Sequence, residues 1–318
     1  MKKLLLPFAF LAAALPAAAC INGETREPKD GTLLFADRGG ESRVPRGHDF
    51  EKIDYAATTA RLEQGWRRTG DAAYRSDMGV LLILQKKYTE ARDLYLDLER
   101  RKPGRYSTAS NLGTVYELLG KNDSALLWIR RAVAIDPKSH RGSEWIHVNI
   151  LEAKAAGNAN PSTSDLLDAD LGRDAKPRWT AAGRSPWTLD EAIFYQLNER
   201  MSFLAPPDPV IGRLLFELGN LRWLQHDPTS VGALYGAARR YGFTDTLLLR
   251  RAQTLSDSLV AAGKTDAALQ QLVKDARPAP TVMAATKPAP SNTLYWSLAG
   301  IFVFLGAFVW LLARRRRR

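Results

Sequence analysis

The residues that could carry chemistry are few. Four histidines occur, at 48, 140, 147 and 226, and one cysteine, Cys20. His140 and His147 are seven residues apart on one segment, so they could share a helical face with two turns between them. Zinc-binding helices use a spacing of four with a glutamate, and no HExxH, GxSxG, P-loop or GxGxxG pattern occurs. Asp165, Asp168 and Asp170 precede Gly172 in the manner of a calcium loop, but their alternation fails. Lys176 also stands where the terminal glutamate would be counted from Asp165. These aspartates are therefore expected to form a solvated acidic loop. The lone His48, in Arg46-Gly47-His48, is expected at the surface. No catalytic residue, metal site or cofactor is assigned.

The elements that would position a binding surface are easier to find. Gly70–Pro103 and Gly104–Pro137 align as two lines of 34 residues. Gly79 falls over Gly113, Ala91 over Ala125 and Pro103 over Pro137, while Leu82, Tyr95 and Leu98 fall over Tyr116, Ile129 and Ala132. Each line makes two antiparallel helices. The glycines and alanines are small where the helices press together, the larger apolar residues recur at three-and-four spacing, and each proline ends a helix. This period and pattern resemble the tetratricopeptide repeat family, strongly in this central part and only partly elsewhere.

The fold class expected is all-α: a tetratricopeptide-like solenoid of helix pairs over 51–155 (72–105, 106–139 and a partial 140–155), with degenerate helices over 188–276 and one C-terminal transmembrane helix. Glu51–Thr69 places Tyr55, Thr59, Leu62 and Trp66 on one face, as a capping helix would. Ser143–Ala153 begins a third unit whose second helix does not follow. Instead 156–187 is irregular and Gly/Pro-rich. Beyond it, Gly219 is followed by Val231, Tyr235 and Ala238 at the offsets that separate Gly79 from Ala91, Tyr95 and Leu98.

Both ends resemble membrane signals. Residues 1–19 have the layout of a secretory signal peptide, two lysines before an apolar run closed by three alanines. Cleavage after Ala19 leaves Cys20 first; lipidation there is the alternative to plain cleavage, although Pro16 and Ala17 depart from the lipoprotein pattern. Residues 20–50 form an irregular arm, in which Leu33-Leu34-Phe35 reads as a short strand or a plug against the first helix. Residues 277–293 are a Pro/Ala-rich linker, 294–313 an uncharged run of 20, and 314–318 all arginine. The formal net charge is +11, but the two ends supply seven of the 45 basic residues, and without them 38 bases face 34 acids. The high pI thus comes largely from the ends, and no nucleic-acid partner is expected. The positive-inside rule puts the C-terminus in the cytoplasm and the repeats outside a bacterial inner membrane, in the periplasm. The alternative placement is an outer-membrane lipoprotein or sorted surface protein.

The resemblance implies that first helices line a concave groove for a protein or peptide partner. By register this groove takes Ser76, Val80 and Ile83, then Ser110, Thr114 and Glu117, then Arg141, Glu144 and Val148. At the positions with which related domains clamp a terminal carboxylate stand Ser76, Val80, Asn111, Arg141 and Trp145, of which only Asn111 and Arg141 fit, so that activity is not implied. The function expected is a membrane-anchored scaffold for envelope assembly or secretion. An envelope enzyme or accessory factor with its site in 156–187 is the alternative.

Overall fold

The computed structural model describes residues 26–36, 43–180 and 184–276. The signal peptide, Cys20, the linker, the 294–313 run and the arginine tail lie outside the described residues. Among the described residues the regular elements are helices, with a single antiparallel bridge between Phe35 and Phe50. No helix among them is long and apolar enough to cross a membrane.

After α1 (Tyr55–Thr69) come two regular hairpins, α2 (Ala72–Leu84) with α3 (Tyr88–Arg101), and α4 (Tyr106–Leu118) with α5 (Asn122–Ile135). Their packing follows the small-to-large contacts expected. Gly79 receives the ring of Tyr95 and Gly113 the end of Ile129, so closely that a Cβ at either glycine would overlap its partner. Ala91, Leu98, Ala125 and Ala132 are fully buried beside them. Buried Tyr95 keeps its hydroxyl satisfied by donating to the Ser76 carbonyl at 2.8 Å. In α1 the buried stripe is Thr58, Leu62 and Gly65, with Tyr74 of α2 against Gly65. Thr59 and Trp66 are only half-buried, so the face is rotated by one residue from that expected.

The third unit departs from the pattern. Pro137 is followed by a short element, α6 (Ser139–Gly142), in which His140, Arg141 and Gly142 take φ of 49°, 54° and 71°. It is a left-handed reversal, and it puts His140 inside and Arg141 in solvent. The first helix then runs as α7 (Glu144–Ala155), packed on α5. A short α8 (Thr163–Leu167) intervenes before α9 (Pro186–Met201), which packs on α10 (Pro209–Leu224) and touches α7. The missing partner helix is thus displaced along the chain.

The insertion is ordered by burial. Leu166, Leu167, Ala169 and Leu171 enter the core shared with α9 and α10. Ser162 and Asp165 cap α8 reciprocally: Ser162 N–H donates to Asp165 Oδ2 at 2.8 Å and Asp165 N–H to Ser162 Oγ at 3.1 Å. Asp165 is a helix cap, and among the described residues no group of three His, Cys, Asp or Glu could hold a metal ion. Arg251, fully buried, donates from Nε to the Asp174 carbonyl at 3.1 Å and from Nη2 to those of Leu171 and Gly172 at 2.9 and 2.6 Å.

The C-terminal part repeats the hairpin rule. α10 pairs with α11 (Val231–Arg240), preceded by a 3-10 turn at Pro228–Ser230, and Tyr235 fills the space at Gly219. α12 (Thr246–Ala261) and α13 (Ala267–Ala276) close the array, α13 resting on α11. One apolar core joins α7 to α13 and another joins the N-terminal arm to α1–α5.

Candidate functional site

Between the two cores lies a cavity of about 510 Å³, including the solvent at its mouth, lined by polar and apolar side chains together. α4 contributes Ser110, Thr114, Glu117 and Leu118, the α6 reversal His140, and α7 Glu144 and His147. α9 and the chain just after it contribute Gln196, Glu199, Arg200, Phe203 and Leu204. Such a set takes a polar group against an apolar wall.

Glu117 is the hub. Its side chain is 8% exposed and accepts hydrogen bonds from His147 Nε2 at 2.8 Å, Lys154 Nζ at 2.7 Å and Arg200 Nη1 at 3.3 Å, with Arg200 Nη2 on its other oxygen. Burial alone would raise its pKa. Arg200, His147 and Lys154 outweigh that and hold the carboxyl well below the usual range. Glu144, 3% exposed, lies between two imidazoles: His140 Nδ1 bonds Oε1 and His147 Nδ1 is 3.4 Å from Oε2. It too is lowered, the histidines prevailing over burial. For His147, burial pulls the pKa down, but its bonds to Glu117 and Glu144 raise it above the ordinary imidazole value. Glu199 is the opposite case, since burial pushes its carboxyl well up. His48 Nε2 is 3.3 Å from Glu199 Oε1.

Chemically, the two carboxylates of the hub are held in the charged form. A general base works best with a pKa near the ambient pH, and cations hold both Glu117 and Glu144 far below it. The hub ties α4 to α7 and α9, and it leaves polar edges facing the cavity.

The nine groove positions divide. Ser110, Thr114, Glu117 and Glu144 meet at the cavity. Ser76, Val80 and Ile83 are buried at 0–1% exposure under the N-terminal arm, whose Leu34 and Phe35 share their core. Lys29 N–H reaches Asp77 Oδ2 beside them at 2.9 Å. These three therefore form no open surface in this arrangement. Val148 is half-buried against Ala125, Ile129 and Leu151. Arg141 is exposed on the reversal, its guanidinium 5.8 Å from the ring of Tyr195. His48 is not at the surface: its ring is 7% exposed and stacks on Phe35 at 4.1 Å. Sequence reasoning missed Arg200, Glu199 and Lys154. The only signal was the pair of histidines flanking Glu144, because the partners of Glu117 lie 30, 37 and 83 residues away.

No protein-family model matches the chain, and no curated protein matches it. Solved structures do match. One is MamA (41 to the end) from Desulfovibrio magneticus RS-1, at 13% identity and a TM-score of 0.32 over 59% of this chain and 85% of that one. Another is a tetratricopeptide repeat protein from Parabacteroides merdae ATCC 43184, at 13% identity and a TM-score of 0.31 over 70% of this chain and 91% of that one. At those scores the likeness carries no argument about the site, and what stands on this chain's own geometry is an all-α array of helical hairpins.

Proposed function

We propose that this chain is a tetratricopeptide scaffold that binds a protein partner, anchored in a bacterial inner membrane by Leu294–Ala313 with its repeats in the periplasm. The observation that carries the binding reading is the mouth of the cavity between α4, α7 and α9. There a charged hub, half-buried Thr114 and apolar Phe203 and Leu204 line one concavity. A groove of that mixed character suits an extended peptide or a helix end. The membrane reading is supported by 20 uncharged residues, about 30 Å of helix at 1.5 Å per residue, followed by five arginines. Service in envelope assembly or secretion follows from that placement.

The test is photo-crosslinking in cells. A crosslinking residue at Thr114 should capture a discrete protein, while one at Leu127, which is 56% exposed on α5, should not. Arg141→Glu should reduce the Thr114 adduct. Equal capture from both positions would defeat the scaffold reading. A membrane-impermeant label added outside the inner membrane should reach residues engineered on α5; labelling only from the cytosol would defeat the placement.

A further inference from the structure

The chain carries a peptide already seated against α9. Arg46 and Gly47 donate their backbone N–H groups to Asn198 Oδ1 at 3.4 and 3.2 Å, and His48 N–H donates to Ser202 Oγ at 2.9 Å. Gly47 has φ +86°, and a Cβ there would stand 2.9 Å from Ser202 N and 3.0 Å from the Met201 carbonyl, so the seat demands glycine. The His48 ring enters between Phe35 and Glu199. Phe50 follows two residues later, 36% exposed, its ring 6.0 Å from that of Phe203.

We propose that Asn198, Glu199 and Ser202, with Phe35 and Phe203, form a recognition seat for an extended segment of a partner protein bearing Gly-His followed two residues on by an aromatic, which this chain fills in cis with Gly47–Phe50. The proposal rests on the scaffold reading and names the kind of segment it would bind. Three features favour a seat over ordinary packing. The backbone N–H groups of Arg46, Gly47 and His48 are read by side-chain amide and hydroxyl groups, while Asp49 and Glu51 pair with the backbone of Ala36 and Leu34, and both kinds of contact grip a chain whatever molecule it belongs to. The Oε2 of Glu199, itself 8% exposed, has no hydrogen-bond partner among the described residues, so the cis occupant leaves polar capacity unused. Glu199 and Phe203 also line the cavity, so the seat and the cavity share two side chains.

A tethered occupant competes at an effective concentration near the millimolar range, so it masks the seat from a free peptide. The probe is a fluorescein-labelled peptide spanning Val44–Glu51, followed by anisotropy with the full chain in detergent. Gly47→Val in the protein should expel the strap and raise peptide affinity about tenfold or more over wild type. Adding Asn198→Ala and Ser202→Ala to that variant should return binding to the wild-type level. Equal binding by wild type and Gly47→Val, or undiminished binding by the triple variant, overturns the proposal. His48→Ala, which only removes a side chain, carries the same comparison should Gly47→Val fail to fold by circular dichroism. If Gly47→Val becomes a dimer that no longer takes up peptide, the occupant is a second copy, and the partner assignment is overturned. Peptide failure alongside Thr114 adducts would sink the seat and spare the scaffold; peptide binding without adducts would do the reverse.

Discussion

A Cβ added to Gly219 would stand 2.6 Å from Cε1 of Tyr235, the contact that Gly79 makes with Tyr95 three units earlier. Both tyrosines are fully buried and both hydroxyls are used, Tyr235 donating to Asn220 Oδ1 at 2.6 Å. The rings therefore have nowhere to retreat. Alanine in a helix is normally favoured over glycine by about 1 kcal/mol, but overpacking a fixed core costs about 1–3 kcal/mol. Gly79→Ala and Gly219→Ala should each lower stability in urea unfolding. Gly236→Ala, where the nearest atom is the tip of Arg240 at 3.6 Å, should raise it by about 0.5–1 kcal/mol. The same sign at all three glycines would refute this account of the repeat.

The repeat was legible because its contacts are local: Gly79, Gly113 and Gly219 each meet a residue sixteen positions on, and a fixed period survives degeneration of everything around it. The third unit was half legible: Trp145, Val148 and Leu151, with Ile146 and Ile150 beside them, mark α7, although Ile146 and Ile150 are buried and Trp145 and Val148 only half-buried, whereas α9 is separated from it by the insertion. The site was hardly legible. Glu117 looks like an exposed helical glutamate until Arg200 arrives from 83 residues away. His48 looks like a loop histidine until Phe35 and Glu199 close over it. Long-range pairing has no period, so no pattern in one sequence announces it.

Asp77 should make the fold less stable as pH rises. Its carboxyl is buried, accepts one N–H from Lys29, and leaves Oδ1 without a hydrogen-bond partner among the described residues. Burial, only partly offset by that bond, pushes its pKa from 3.8 up to about 6. An acid whose folded pKa is raised stabilises the protein below its unfolded pKa and loses that benefit as pH climbs through the folded one. The loss across pH 4–6 is at most about 3 kcal/mol at 1.36 kcal/mol per unit. Asp77→Asn keeps the acceptor for Lys29 N–H and removes the titration. It should match wild type near pH 3.5 and exceed it by about 1–3 kcal/mol at pH 7 in urea melts. A constant difference at all pH values would show that Asp77 is not the titrating group.

Arg251 holds the insertion by its carbonyls, so its loss should appear there before it appears in the repeats. Three backbone acceptors, on Leu171, Gly172 and Asp174, would lose a charged donor, each such bond contributing about 1.5–3 kcal/mol. Arg251→Met preserves much of the volume and removes the donors. Limited proteolysis should then cut within residues 171–178 at a rate at least about tenfold above wild type, equivalent to about 1.4 kcal/mol of easier local opening. Cutting that begins instead in α2–α5 would mean that Arg251 supports the whole array and not the loop.

The Glu117 hub should set a pH window for the array. Glu117 and Glu144 have lowered folded pKa values, so their contribution is present above the unfolded value of 4.5 and is lost as pH falls through the folded ones. His147 is raised, so its contribution is complete below 6.5 and is lost as pH rises through the folded value. The three contributions coincide between about pH 4.5 and 6.5, and thermal stability attributable to the hub should be greatest there. Removing one partner strands a buried charge: Arg200→Met should cost about 3–5 kcal/mol at pH 6. Glu117→Met with Arg200→Met should cost less than the sum of the single changes by at least about 1 kcal/mol, since no carboxylate is then left facing an apolar wall. Additive losses in that cycle would mean that the pair is not coupled, and that α9 is held against α4 by the apolar contacts of Phe203 instead.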